Sequence, residues 1–359
     1  MPLAQELLCL TDCEPLGISE MLTLCPELEE ALKCDRMDYL SQRWEERLCA
    51  QIAGLYVGVT PAQVRVHHGA GEALLDLMRG ILSPHDRVIA HAPAFPPIHS
   101  IPSSLGCEVI QWRADPENGW KLDLELLAKN LGPRTRLVIV NFPHNPTGYV
   151  PSHGEFQELI ELVRRHGTFL MCDEVYHGLR SSASGPALPL VADVYEHGIS
   201  VGSLSKAFGL PGVRVGWLAT RSPAILASLS RRRDAHVVND NMLGHIMACS
   251  ALTHAHAILS RNQGIVDENR ELFARFLDVH GERVSCHLPM AGPVAFPALR
   301  RAESSAVLCD RLLAKTGALL VPSAALQFGD RHFRIGLGRK SFRGGLDKLS
   351  RFLHDNPVL

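Results

Sequence analysis

The chain has 359 residues, of which 46% are hydrophobic and 21% charged, with a formal net charge of -2. That length and apolar content build a substantial core and fit one large domain with a smaller one, which excludes a disordered chain. The near-neutral balance leaves no broad basic footprint, so neither a nucleic-acid nor a membrane partner is expected.

Ten cysteines run from Cys9 to Cys309 without a CxxC pair, the usage of a reducing compartment. The start MPLAQELLCLTDCEPL carries acids early and lacks a basic n-region, and no apolar stretch reaches the length of a bilayer span. A cytoplasmic location is expected. The eighteen histidines are scattered, and His254 with His256 has no third ligand at zinc-site spacing, so no metal site is expected. Arg231 to Arg233 is the one basic run and reads as a solvated helix face.

In chain order, residues 1 to about 35 alternate acids with leucines and break at Pro15, Gly17 and Pro26, as in an extended arm leading to a short helix. Asp12 and Glu14 in that arm are either surface charges or groups reaching a nearby site. From Tyr39 to Tyr56 the residues Leu48, Ile52 and Leu55 recur at helical spacing. A short strand, Val64 to His67, then turns through Gly69, Ala70 and Gly71 into a helix carrying Leu74, Leu75, Met78 and Ile81. Small residues there leave helix N–H groups bare, which suits either a tight turn or a seat for phosphate.

DRVIAHA near 88, CEVIQW near 109, RLVIVNF near 138 and FLMC at 169 to 172 read as further strands alternating with helical stretches. That rhythm predicts an α/β fold with a three-layer, mostly parallel sheet and ligands at the strands' carboxyl ends. Two such ends are loaded. In NFPHNPTGYV, Pro143, Pro146 and Gly148 fix a non-helical loop that aims Asn145 outward, or Asn145 simply closes a turn. Asp173, with Tyr176 three residues on, sets a carboxylate at the bottom of a cleft or caps a helix.

The stretch VGSLSKAFGLPGVRVGW, Val201 to Trp217, places Lys206 among apolar residues and glycines, after Ser203 and Ser205 and before Arg214. Two readings stand for it: an amphipathic surface lysine beside a helix-capping serine, or a buried amine poised to bond an aldehyde cofactor. Beyond Trp217 the sequence predicts a long helical region through HVVNDNML, a helix from about Ile265 to Val279, and a smaller α+β unit. That unit comprises CHLPMAGPVAFPAL, a helix around Leu308 to Leu313, the strand ALLVPS and GDRHFRIGLGR.

Taken together, GAGEA at 69 to 73, PAF at 93 to 95, NFPHNPTG at 141 to 148, DEVY at 173 to 176, SLSKAFGLPGVRVGW at 203 to 217 and FRIGLG at 333 to 338 resemble the fold-type I pyridoxal-phosphate enzymes. The likeness is to the class I/II aminotransferase family related to aspartate aminotransferase, and it spans nearly the whole chain. It implies pyridoxal 5'-phosphate as cofactor. Lys206 would bond the cofactor aldehyde as a Schiff base and carry the proton, and Asp173 would keep the pyridine nitrogen protonated. Ala70, Gly71, Ser203, Ser205 and Arg214 would hold the phosphate, and Phe95 would stack on the ring. Asn145 and Tyr176 would contact the phenolic oxygen, with Asn145 also at the substrate, and Arg334 would clamp the substrate carboxylate.

The resemblance further implies a homodimer, with Tyr39 reaching across the interface to the other subunit's phosphate. Trp44 and Cys49 depart from the family pattern around it. It also implies an N-terminal arm (1 to 35) packing with the small domain, a large cofactor-binding domain (36 to 255) and a small domain (256 to 359). The polar segment His236, Asn239, Asp240, Asn241 falls where relatives approach the partner's site or cap the interface helix, and no second arginine for a side-chain carboxylate is evident. NFPHNPTG and LSKAFGLPGVRVGW are also similar to capreomycidine-synthase-type enzymes. The expected function is therefore transfer of an amino group between an L-amino acid and a keto acid, with elimination and cyclisation of an amino acid as the alternative.

Overall fold

The computed structural model describes residues 4–34, 38–181, 185–236, 239–300 and 304–356, with backbone alone for 34 and 233–236. Its centre is a seven-stranded sheet: β1 (Val64–His67), β2 (Arg87–Ala92), β3 (Glu108–Arg113), β4 (Thr135–Asn141), β5 (Phe169–Asp173), β6 (Gly198–Ser203) and β7 (Gly216–Thr220). The spatial order is β1-β7-β6-β5-β4-β2-β3. Only β7 runs against its neighbours.

Side chains alternate across a pleated strand, so a strand covered on both faces must be apolar throughout. β4 does this with Leu137 and Ile139 in one core and Val138 and Val140 in the other. The first core is closed by the helix Ala70–Ile81 through Ala73, Leu74, Leu77 and Met78. The second is closed by His153–Arg165 through Phe156, Leu159, Ile160 and Val163. The result is the expected α/β architecture of three layers.

Three elements add to or shift the sequence expectation. VGSLSKAFGLPGVRVGW, which that expectation assigns to no element, forms the end of β6, a loop and the start of β7, paired antiparallel with Ser203 opposite Gly216 and Gly202 opposite Trp217. The helix expected from Ile265 begins at Ala255 and runs to His280. Its period is masked because two core-facing positions are asparagines: Asn262 Nδ2 donates to the Ala207 carbonyl at 2.8 Å, and Asn269 Nδ2 donates to the Leu337 carbonyl at 2.8 Å. The third is the helix Phe342–Asp355, absent from the sequence expectation, which buries Phe342, Leu346, Leu349, Phe352 and Leu353 at helical spacing.

The helix Ala255–His280 joins two cores. Ile258 and Val266 belong to the cluster under the large unit, while Phe273 and Phe276 pack with Leu308, Leu312, Phe333, Ile335 and Leu349 of the small one. Among the described residues no single helix is long and apolar enough to cross a membrane; Met242–Thr253 and Ala255–His280 pass only as a pair, bent by 79°.

The N-terminal arm threads between the two units. Gln5 N donates to the Gly317 carbonyl at 2.8 Å, Leu319 N to Glu6 O at 2.9 Å and Gly336 N to Leu8 O at 2.7 Å. Further on, Cys13 N donates to Lys206 O and Leu16 N to Gly209 O, both at 3.2 Å. The helices Ile18–Leu24 and Glu27–Cys34 then sit on the cluster of Trp44, Leu48 and Ile52. A Cβ at Gly336 would collide with the Leu10 carbonyl, so only glycine lets the arm lie this close. Gly336→Ala should therefore lift the arm and destabilise the protein by about 1–3 kcal/mol, read as a lowered denaturant midpoint with new protease cleavage between residues 4 and 16. Unchanged stability and protection would contradict this packing.

Candidate active site

Five chain segments end on one edge of the sheet. β1 delivers Gly69 to Gly71, β2 delivers Phe95, β4 delivers Asn145, β5 delivers Asp173, and β6 with β7 holds the loop of Ser203, Ser205, Lys206 and Arg214. All of these but Gly69, together with Thr11, Tyr176 and Arg334, line one cavity of about 530 Å3. Of the residues that the resemblance assigns to the cofactor or the substrate, Tyr39 alone lies outside it, 75% exposed on the surface of its own chain. Phe95 stands at the mouth, 41% exposed. Asn145 is 6% exposed, turned into the cavity rather than outward. It faces inward because Asn141 Oδ1 accepts its N–H at 2.7 Å, and because Arg334 of the small unit donates to its Oδ1 at 3.3 Å.

Two opposite charges share this cavity. Burial disfavours the ammonium of Lys206 and lowers its pKa, against the pull of Asp12 and Asp173 and alongside the charge of Arg334. Burial likewise raises Asp173, to about 6, against the hydrogen bond from Val175 N at 3.2 Å and the charge of Lys206. Lys206 Nζ donates to Thr11 Oγ1 at 2.7 Å. Thr11 comes from the arm and was not singled out in the sequence, since nothing local in CLTDC marks it. Its neighbours Asp12 and Glu14 are committed elsewhere: Asp12 Oδ2 accepts from Arg339 at 2.7 Å, and Glu14 Oε2 accepts the Lys340 N–H at 2.9 Å.

The end of the cavity below Ala70–Ile81 is built of donors. The first N–H groups of that helix have no intrahelical acceptor and lie beside Ser203, Ser205 and Arg214. Ser205 N donates to Ser203 Oγ at 3.0 Å, which draws the two hydroxyls together. Arg214 sits in the left-handed region at φ 58, a strained backbone for this residue type. Its guanidinium folds over Gly69, where a Cβ would meet it, and donates to Pro211 O at 2.9 Å and His68 O at 3.2 Å. A phosphate ester matches this donor set, and an aldehyde carried by the same molecule would meet the amine of Lys206. The residues present thus fit pyridoxal 5'-phosphate.

At the other end Arg334 spans Asn145 Oδ1 and the Cys9 carbonyl, at 3.3 and 3.1 Å, and its buried Nε has no partner. Burial lowers its pKa, the mark of a guanidinium cation short of solvation that an anion would satisfy. Tyr176, 1% exposed, is pushed up by burial and stays a neutral phenol. Behind the two loops His91 and His144 pack with their rings tilted by 45° at 4.5 Å between centroids; burial holds His144 down at about 4, so the ring packs as a neutral aromatic.

In the polar segment after the helix Pro223–His236, Asn241 Oδ1 accepts the Gly244 N–H at 3.2 Å and caps Met242–Thr253. Asn239 Oδ1 accepts the Leu40 N–H at 2.7 Å, and Asp240 faces His68 at 3.4 Å. The side chain of His236 and residues 237 and 238 lie outside the described residues.

The raised pKa of Asp173 has a consequence for stability. A carboxyl whose folded pKa exceeds its unfolded value contributes stability below the unfolded value, about 3.8, and that stability is lost as pH rises through about 6. In the cofactor-free protein Asp173→Asn should therefore be the more stable form at pH 8, by on the order of 2 kcal/mol, with the gap closing near pH 4. Denaturant melts across that range check it, and a gap independent of pH would remove Asp173 as the cause.

The sequence model of the family described as aminotransferase class I and II matches residues 11–341. Capreomycidine synthase of Streptomyces vinaceus is 32% identical over 311 residues, covering 86% of this chain and 79% of that one. The aspartate/prephenate aminotransferase of Thermus thermophilus is 26% identical over 311 residues, covering 83% and 77%. The solved structure of a PLP-dependent aminotransferase from Streptococcus suis superposes with a TM-score of 0.90 at 30% identity, over 98% of this chain and 94% of that one. Family members use pyridoxal 5'-phosphate, the group that the cavity fits. With all but the ends of its length matched and its cavity lined as described, the chain belongs to the class I and II aminotransferase family of pyridoxal-phosphate-dependent enzymes.

Proposed function

We propose that the protein transfers an amino group from an L-amino acid to a keto acid, with its cofactor bound in the cavity of Lys206, Asp173 and Arg334. The observation that carries this reading is the placement of all three in one cavity, with a seat of N–H, hydroxyl and guanidinium donors at one end and the Arg334 fork at the other. When bound, the cofactor supplies an aldehyde for covalent attachment and a ring that accepts electrons from the substrate's α-carbon. Ser203, Ser205, Arg214 and the N–H groups of Ala70 and Gly71 hold its phosphate, and Phe95 covers the ring. Asn145 and Tyr176 bond its phenolic oxygen. Asp173 holds a proton at the ring nitrogen. Arg334 takes the substrate carboxylate at two points, which orients the α-hydrogen toward Lys206. The lysine, its ammonium disfavoured by burial, would remove that proton and return it to the cofactor carbon on the far side of the substrate nitrogen.

Between the two cationic ends the wall is Pro96, Val321, Ala325 and Leu326, and both arginines of the lining are engaged as above. This supports a donor whose side chain carries no acid. A second reading, elimination or cyclisation of an amino acid, is favoured by the 32% identity to capreomycidine synthase. Both reactions begin with the same proton abstraction. They part on cofactor economy: a transaminase given its amino acid alone should yield about one equivalent of keto acid per site and stop until an acceptor is added. Continued turnover on one amino acid, with loss of water or ring closure by mass spectrometry, would assign the second reading instead. Lys206→Ala should abolish either activity.

We also propose a homodimer, supported by the exposure of Tyr39 outside its own cavity, and a cytoplasmic location, supported by the free thiols of the described cysteines. Mixing Tyr39→Phe with Lys206→Ala chains should restore activity above the sum of the two, because a mixed dimer contains one intact site. Strict additivity after subunit exchange would argue against a shared site.

A further inference from the structure

We infer that Thr11 is a positioning residue for the catalytic amine: its hydroxyl fixes Lys206 Nζ on the substrate side of the cavity. The inference rests on the reading of Lys206 as the proton carrier. Once the substrate's own amine has taken the lysine's place on the cofactor, Lys206 is free, and its position then decides the rate. A lysine stem has among the largest rotamer freedoms of any side chain. A misplacement of about 1 Å at a reacting atom costs about a hundredfold.

Left alone, the freed amine would turn toward a carboxylate, and both Asp12 and Asp173 attract it. The structure instead ties it to a neutral acceptor, Thr11 Oγ1 at 2.7 Å, which is itself 8% exposed. Tyr176 lines the same cavity wall, and the Thr11 hydroxyl acts against the burial that raises its phenol, so the amine, the hydroxyl and the phenol share one side of the cavity. Threonine is stiff at χ1, and its methyl prevents the oxygen from swinging out of line.

The backbone carrying Thr11 is pinned on both sides. Before it, Cys9 O accepts from Arg334 at 3.1 Å and Leu8 O accepts the Gly336 N–H at 2.7 Å. After it, Asp12 pairs with Arg339 at 2.7 Å and Cys13 N donates to the backbone carbonyl of Lys206 itself at 3.2 Å. One stretch of the arm therefore sets both the fork for the substrate carboxylate and the amine that acts on its α-carbon. Their relative placement is held by the six consecutive residues from Leu8 to Cys13 rather than by the sheet alone.

The test uses Thr11→Val, which keeps the shape and removes the hydroxyl, with Thr11→Ser as the conservative return. In the cofactor-free protein, competitive acetylation of Lys206 followed by peptide mass spectrometry across pH reads the amine directly. Loss of an acceptor for the ammonium should move its titration to lower pH in Thr11→Val, and Thr11→Ser should restore it. In the holoenzyme, Thr11→Val should lower kcat about tenfold or more with little change in KM or melting temperature. An α-deuterated substrate should then show a larger isotope effect, and Thr11→Ser should recover most of the rate. A Thr11→Val protein with wild-type titration and kcat, while Lys206→Ala is inactive, overturns the inference; so does a loss of kcat that serine does not recover and that leaves the titration unmoved. Turnover by Lys206→Ala would overturn the reading of the lysine, and the acetylation measurement would still decide what Thr11 does to it.

Discussion

The structure is arranged around a lysine amine and a carboxylate kept out of water in one cavity. Isolated charges in such a place are costly, and each of the pair titrates accordingly, Lys206 downward and Asp173 upward to about 6. That unfavourable placement suits the proposed roles, an amine that must be neutral to act and a carboxylate that meets a cation supplied by a bound ring. The parallel sheet provides the place, because the carboxyl ends of β1, β2, β4, β5 and β6 converge on one edge where loops rather than side chains close the core. Hydrophobic burial in the two cores, with β4 contributing alternate residues to each, holds those ends rigid.

The rest of the chain serves to enclose that edge. The small unit brings Arg334 over Asn145, and the arm runs between the units, so the substrate end of the cavity is built from segments at opposite ends of the sequence. Buried asparagines do part of the joining: Asn262 binds the loop after Lys206 and Asn269 binds the carbonyls after Arg334, both from the one helix that spans the two cores. A buried amide that satisfies a specific carbonyl fixes orientation in a way that an apolar contact does not. The helix thus carries the register between the cofactor seat and the substrate fork.

The choice between transamination and cyclisation does not reside in these shared residues. In the proposed mechanism proton abstraction uses Lys206, Asp173 and Arg334 whichever way the substrate leaves. Pro96, Val321, Ala325 and Leu326 are the further lining from which such a choice would have to come within this chain. Asn241 is occupied as a helix cap, Asn239 with the backbone of Leu40, and Asp240 faces His68 at 3.4 Å and His245 at 3.9 Å.

By itself the sequence determined the α/β class, the strands from Val64 to Cys172, the family and the cofactor. Those features are local: apolar runs that must be buried on both faces, glycines and prolines that break them, and short motifs with a fixed spacing of chemical groups. The lysine, aspartate and arginine could be named because each stands in such a motif. The strand Gly216–Thr220 is not separable by pattern from the loop before it, and the start of Ala255–His280 is hidden because asparagine at core-facing positions interrupts the apolar period. Phe342–Asp355 does carry a legible helical pattern in Phe342, Leu346, Leu349 and Phe352, although the sequence expectation did not include it. Only the tertiary structure decided that Thr11 meets Lys206, that Cys9 holds Arg334, and that Asn145 faces inward. Those contacts join residues up to 325 positions apart, and no periodicity or spacing along the chain encodes a meeting that depends on how two cores and an arm fit together.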